Sequence, residues 1–101
     1  SHTIHRAGDI EMQLLARKVL KAGKPIELQT REFNLLEYLM RHQGQVVTRT
    51  MLLEAVWDYH FDPQTNVIDV HVSRLRKKIG DPKGQFIKTI RGAGYLIDTD
   101  L

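Results

Sequence analysis

The chain contains no cysteine among its 101 residues. That absence removes disulfides, thiolate zinc sites, iron–sulfur clusters and cysteine nucleophiles, and is compatible with a reducing compartment. No apolar run approaches the ~20 residues that a helix needs to cross a bilayer, and no charged-then-apolar leader pattern follows Ser1-His2. With three prolines and 7% aromatic residues, the chain has neither a proline-rich linker nor a low-complexity tract, and no period of 20 to 50 residues repeats. Its length excludes an enzyme with separate cofactor and substrate domains. What is present is 42% hydrophobic residues in a chain of that length, enough for one compact domain. We expect one domain over residues 1–101, cut from a longer protein, with residues 1–5 a linker or cloning scar.

Neither sign of charge dominates overall: 15 Lys and Arg stand against 12 Asp and Glu, a net of +3. The distribution is more informative. Residues 1–65 hold eight basic and eight acidic side chains and cancel, whereas residues 66–95 hold Arg74, Arg76, Lys77, Lys78, Lys83, Lys88 and Arg91 against Asp69 and Asp81. Seven against two leaves a patch of +5 in one third of the chain. Such a patch attracts polyanions, of which nucleic acid is the first candidate. A solvated helix face is the plainer alternative, so the patch needs geometric support.

Hydrophobic periodicity predicts strands, then helices, then a hairpin. Short extended segments are expected at Ile10 to Met12, Leu15 to Leu20 and Pro25 to Leu28, with Gly23 in a turn. Thr30 is an expected N-cap for a helix over 31–42 carrying Phe33, Leu36, Leu39 and Met40, stopped at Gly44. Thr48 can cap a second helix ending near Trp57, and Thr65 or Asn66 a third running to Ile79, closed by Gly80 and Pro82. In the third helix Ile68, Val72, Leu75 and Ile79 form a core stripe. Asn66, Asp69, Val70, Ser73, Arg74 and Lys77 share the opposite face, with His71 and Arg76 at its margins. Finally, Phe86 to Ile90 and Tyr95 to Ile97 flank Arg91-Gly92-Ala93-Gly94, a glycine-bearing hairpin turn.

Two short helices before a third with a polar outer face follow the helix-turn-helix plan, and a basic hairpin completes a wing. An α-helix fits the ~12 Å major groove, where Arg can bond guanine through two parallel hydrogen bonds. Arg74 is accordingly the expected base reader, Val70 can touch a thymine methyl, and Asn66 can serve base or phosphate. Arg91, on a glycine-flanked tip, suits the narrow minor groove or the backbone. Phosphate contacts are expected from Trp57, His71, Ser73, Arg76, Lys77, Thr89 and Tyr95.

Four blocks, in order, carry a family resemblance: residues 28–36 (LQTREFNLL), 55–58 (AVWD), 65–79 (TNVIDVHVSRLRKKI) and 89–95 (TIRGAGY). With these the chain resembles the winged-helix effector domain of OmpR/PhoB-type two-component response regulators over nearly its whole length. The resemblance implies an α+β fold with a four-stranded N-terminal antiparallel sheet, a three-helix core and a C-terminal β-hairpin wing. It implies transcription regulation in the bacterial cytoplasm, on double-stranded promoter DNA carrying tandem direct repeats. The domain is then a monomer alone and a dimer on DNA, or when a receiver domain absent here is phosphorylated by a sensor kinase. Residue by residue, it places base contacts at Val67, Asp69, Val70 and Arg74, a minor-groove contact at Arg91, and phosphate contacts at Trp57, Asn66, His71, Arg76, Thr89 and Tyr95. Ser73 departs from the pattern, standing where several relatives carry a second Arg. The loop Asp58, Tyr59, His60, Phe61, Asp62 matches one that can touch RNA polymerase in relatives.

Catalysis finds no support. Gly92-Ala93-Gly94 supplies G-x-G, but the third glycine of a dinucleotide loop would fall at Ile97 and the segment opens a strand. Asp58, His60 and Asp62 alternate like metal ligands without the glycine and bidentate acid of a calcium loop. We therefore expect no catalytic residue, no metal, no cofactor and no membrane contact. Two alternatives remain open from the sequence: a winged-helix protein-interaction module using the same basic face, and the DNA-binding domain of a transmembrane activator.

Overall fold

The computed structural model describes residues 3–57 and 66–98. In chain order the elements are β1 (Ile4–Ala7), β2 (Ile10–Gln13), β3 (Lys18–Lys21), β4 (Lys24–Ile26), α1 (Thr30–Arg41), α2 (Arg49–Val56), α3 (Asn66–Lys78), β5 (Ile87–Ile90) and β6 (Gly94–Ile97). The first four strands form an antiparallel meander in the order β1-β2-β3-β4, and β5 pairs with β6 in a separate hairpin. This is the α+β winged-helix arrangement expected from the four sequence blocks.

The N-terminal strands differ in detail from the sequence expectation. Ile4 and His5, expected in a linker, lie in β1, where His5 opposes Met12 across the β1–β2 ladder. The segment Leu15 to Leu20 is not continuous strand: Leu15 is 85% exposed and Arg17 takes a φ of 53°, so the chain turns before β3 begins at Lys18. A positive φ is uncommon outside glycine. Here Arg17 lays its guanidinium over the Phe33 ring at 4.1 Å and donates to Asn34 Oδ1 at 3.1 Å. These contacts tie the turn to α1.

Alternation does the rest in the sheet. Ile10, Met12 and Val19 are buried while their neighbours Glu11 and Gln13 are half-buried, so one face of the meander packs inward. Helix α1 lies against β1, β6, α2 and α3, which makes it the centre of the molecule. Its cap sits one residue earlier than expected, at Gln29. The Gln29 backbone N–H donates to Glu32 Oε1 at 2.8 Å, one half of a capping box, whereas Thr30 is already helical. The second cap is as expected, with Thr48 Oγ1 accepting from the Met51 backbone N–H at 3.1 Å. Residue Thr65, an expected cap of α3, lies outside the described residues, and Asn66 is the first helical residue. The expected core stripe of α3 is fully inside: Ile68, Val72, Leu75 and Ile79 are all buried.

Beyond α3 the chain is organised by Asp81, a buried carboxylate that accepts from the backbone N–H groups of Gln85, Phe86 and Ile87 at 2.7 to 3.0 Å. Three otherwise unpaired donors are satisfied by one side chain, and the strand β5 starts where they end. The hairpin then docks on the helical core by an extra bridge between Val47 and Tyr95, with reciprocal N–H to carbonyl bonds of 2.8 and 2.9 Å.

That bridge is why position 94 is glycine. Its φ is +152°, and a Cβ there would collide with the Val47 carbonyl oxygen and approach Thr48 Cα to 2.9 Å. Gly92, at the tip, has φ +75° with open space around it. We predict that Gly94→Ala costs about 2 to 5 kcal/mol by combining steric overlap with backbone strain, and Gly92→Ala only about 1 kcal/mol. Urea unfolding of the two variants checks this, and a Gly94→Ala loss within 1 kcal/mol of the Gly92→Ala loss would contradict it.

Candidate nucleic-acid interface

Helix α3 buries one stripe and therefore displays the other. Asn66, Val70, Ser73, Arg74 and Lys77 are exposed, and Val70 is one of few large apolar side chains so displayed, at 45%. Val67 is half-buried and packs against the core. Among the described residues Arg74 makes no hydrogen bond or ion pair, and neither does Arg91, exposed at the hairpin tip. Two free guanidinium groups, one on the helix and one on the wing, thus face solvent.

Asp69 and Tyr95 are brought together. The Tyr95 hydroxyl donates to Asp69 Oδ1, and Arg49 Nε donates to the same oxygen at 2.8 Å. One carboxylate thereby links α2, α3 and β6. Burial disfavours its charge, but the hydrogen bonds from Tyr95 and Arg49, with the Arg49 and Arg76 charges, outweigh that and hold the carboxyl below its ordinary 3.8. Burial and donation to Asp69 push the Tyr95 phenol above its ordinary 10.0.

Arg76 and Thr89 are likewise joined. Arg76 Nε and Nη2 both donate to the Ile87 carbonyl, at 3.0 and 2.5 Å, and Nη2 also donates to Thr89 Oγ1 at 2.8 Å. The wing strand is therefore pinned to the last turn of α3. Trp57 and His71 form a third pair, an edge-to-face contact with centroids 4.9 Å apart, while His71 Nδ1 bonds the Val67 carbonyl at 2.9 Å. Lys78 reaches buried Glu32 at 2.6 Å and ties α3 to the first turn of α1. Burial raises the Glu32 pKa, but the Lys78 and Gln29 hydrogen bonds and nearby positive charge prevail and lower it.

A family model described as "Transcriptional regulatory protein, C terminal" matches residues 23–97. The transcriptional regulatory protein CusR of Escherichia coli K12 is 45% identical over 94 residues, covering 92% of this chain and 41% of that protein. The response regulator DrrB, a Thermotoga maritima OmpR/PhoB homologue, superposes with a TM-score of 0.87 at 36% identity, over 95% of this chain and 44% of that one. The Klebsiella pneumoniae RstA DNA-binding domain, in complex with the RstA box, gives 0.82 at 33% identity over 97% and 99%. The chain belongs to the transcriptional regulatory protein C-terminal family. It spans less than half the length of CusR, and the OmpR/PhoB resemblance carried by the four sequence blocks holds. No helix among the described residues is long and apolar enough to cross a membrane, and the loop 58–62 lies outside those residues.

Within this family fold, the residues that sequence reasoning missed are Arg49, Glu32, Lys78 and Asp81. Glu32 carried a legible signal, since it stands three residues after Gln29 at a helix start. Arg49 carried none, because its partner Asp69 is 20 residues away. Both Asp69 and Glu32 have lowered folded-state values, so the unfolded chain binds more protons and stability increases with pH there. Their contribution is whole above the ordinary values of 3.8 and 4.5 and is lost as pH falls through the lower folded-state ones. Denaturant titrations at neutral pH and at steps below about pH 4 should show Asp69→Asn less stable than the parent at neutrality and less sensitive to acid. Parallel pH curves for the two proteins would remove the clamp from the account.

Proposed function

We propose that the chain is the DNA-binding effector domain of a bacterial two-component response regulator, reading double-stranded promoter DNA without catalysis. The observation that carries this reading is the division of the α3 surface: an apolar stripe is buried, and Arg74, Val70 and Asn66 are exposed on the other side, with no partner for the Arg74 guanidinium among the described residues. Helix α3 enters the major groove, where Arg74 reads a guanine and Val70 meets a thymine methyl, while Arg91 reaches the minor groove. Val67 and Asp69 lie at the margin of that reading face. Asn66, Ser73 and Lys77 bind phosphates along its exposed side, and Trp57, His71, Arg76, Thr89 and Tyr95 do so at its edges, several while bonded to one another. Tandem repeats, a receiver partnered by a sensor kinase, contact of the loop 58–62 with RNA polymerase, and a cytoplasmic location complete the reading.

A carbonyl oxygen only accepts, so the bond to Val67 fixes the Nδ1–H of His71 and with it the orientation of the ring on the flank of α3.

The reading as a whole is tested by selecting duplexes from a random pool at near-physiological salt, with Arg74→Lys beside the parent. Lys keeps the charge and loses the planar fork. The parent should enrich a defined motif, and the variant should lose about 1 to 3 kcal/mol of discrimination at one position. Failure of the parent to enrich or bind any duplex would overturn the reading.

A further inference from the structure

Five arginines lie over aromatic rings among the described residues: Arg17 over Phe33, Arg41 over Tyr38, Arg49 and Arg76 over Tyr95, and Arg31 over Trp57. Four of them also donate to a protein acceptor. Arg17 bonds Asn34, Arg41 bonds Glu37, Arg49 bonds Asp69, and Arg76 bonds Ile87 and Thr89. Arg31 differs, for it is exposed and its guanidinium, 5.2 Å from the centre of the Trp57 ring, donates to no acceptor among the described residues.

Helix stability does not account for this residue. Arg31 sits in the first turn of α1, where the helix dipole favours anions and a cation is mildly unfavourable. Position does suggest a role. Trp57 is in edge contact with His71 on the flank of α3, so Arg31, Trp57 and His71 form one row that runs outward from the recognition helix. An arginine held in place by a ring, with its donors unused and no carboxylate bonded to it among the described residues, is preorganised for an oxyanion such as a phosphodiester, two of whose oxygens the guanidinium fork can meet.

We propose that Arg31 contacts a DNA phosphate at the edge of the groove entered by α3, extending the backbone-binding surface onto helix α1. The proposal rests on the DNA-binding reading and adds a residue to it. Each phosphate neutralised contributes about 0.9 to the slope of log affinity against log salt. Arg31→Ala should therefore weaken matched and mismatched duplexes alike and lower the slope by about 0.9. Between 50 and 200 mM salt the parent then loses roughly 3- to 4-fold more affinity than the variant.

The experiment measures duplex affinity across that salt range for the parent, Arg31→Ala, Arg31→Lys and Lys24→Ala, with folding of each checked by circular dichroism. Lys24 is exposed on β4, paired across the sheet with Lys21, and makes no contact with Arg31, Trp57 or His71 among those described. Arg31→Lys, which keeps the charge, should retain most of the slope, and Lys24→Ala should match the parent. An unchanged slope in Arg31→Ala with normal binding by the parent overturns the proposal and leaves the DNA reading intact. So does an equal drop in Lys24→Ala, which would reflect net charge alone. A parent that binds no duplex overturns both.

Discussion

The structure depends on the burial of one stripe of helix α3. Ile68, Val72 and Leu75 are fully inside the core, and burying each such side chain stabilises the fold by about 1.5 to 3 kcal/mol relative to exposure. Rolling the helix by one residue, about 100°, would expose that stripe and bring Asp69 or Ser73 inward. The helix therefore has one permitted orientation about its axis, reinforced at its end by Lys78 reaching buried Glu32 on α1. Because the core fixes the orientation, the chemistry of the outer face is free to serve something other than folding. Exposed Val70, and Arg74 with no partner among the described residues, are side chains that the fold does not require where they stand.

The basic segment is not uniform in what its charges do. Arg76 fixes the wing strand through the Ile87 carbonyl and Thr89, and Lys78 joins two helices. Lys88 pairs with Asp98. Arg74 and Arg91 remain unpartnered among the described residues. A count of +5 over residues 66–95 is thus correct as a source of long-range attraction but overstates the number of cations available for close contact. Arg31 and Arg49, in the part of the chain whose charges cancel, show the reverse: net charge hides both a guanidinium with no ion-pair partner among the described residues and a clamp.

Legibility from sequence followed the range of the interaction. The helix spans, the Thr48 cap and the α3 stripe depend on residues three to four apart, and periodicity exposed them. The family blocks supplied the fourth N-terminal strand, since Ile4 to Ala7 is too short and too polar to announce itself. Turn chemistry misled at Leu15, because an apolar residue in an exposed turn reads like part of a strand until Arg17 is seen to reverse the chain. Contacts spanning 20 or more residues, such as Arg49 with Asp69, Tyr95 with Asp69, and Lys78 with Glu32, left no trace in local pattern.

The same long-range contacts bear on Asp69 as a reader of bases. A carboxylate that accepts from Tyr95 and Arg49 on one oxygen still has a second oxygen and remains 45% exposed at its side chain. It can accept from a cytosine amino group only if that second oxygen faces the groove while the first stays bonded. Releasing the clamp to free both oxygens would unpair Arg49 and the buried Tyr95 hydroxyl together, and an unsatisfied buried donor costs about 1 to 3 kcal/mol. That cost is similar to the gain from one good base contact. Reading by Asp69 is therefore compatible with the clamp only in the one-oxygen geometry, in which wing, recognition helix and base contact are all held by a single side chain.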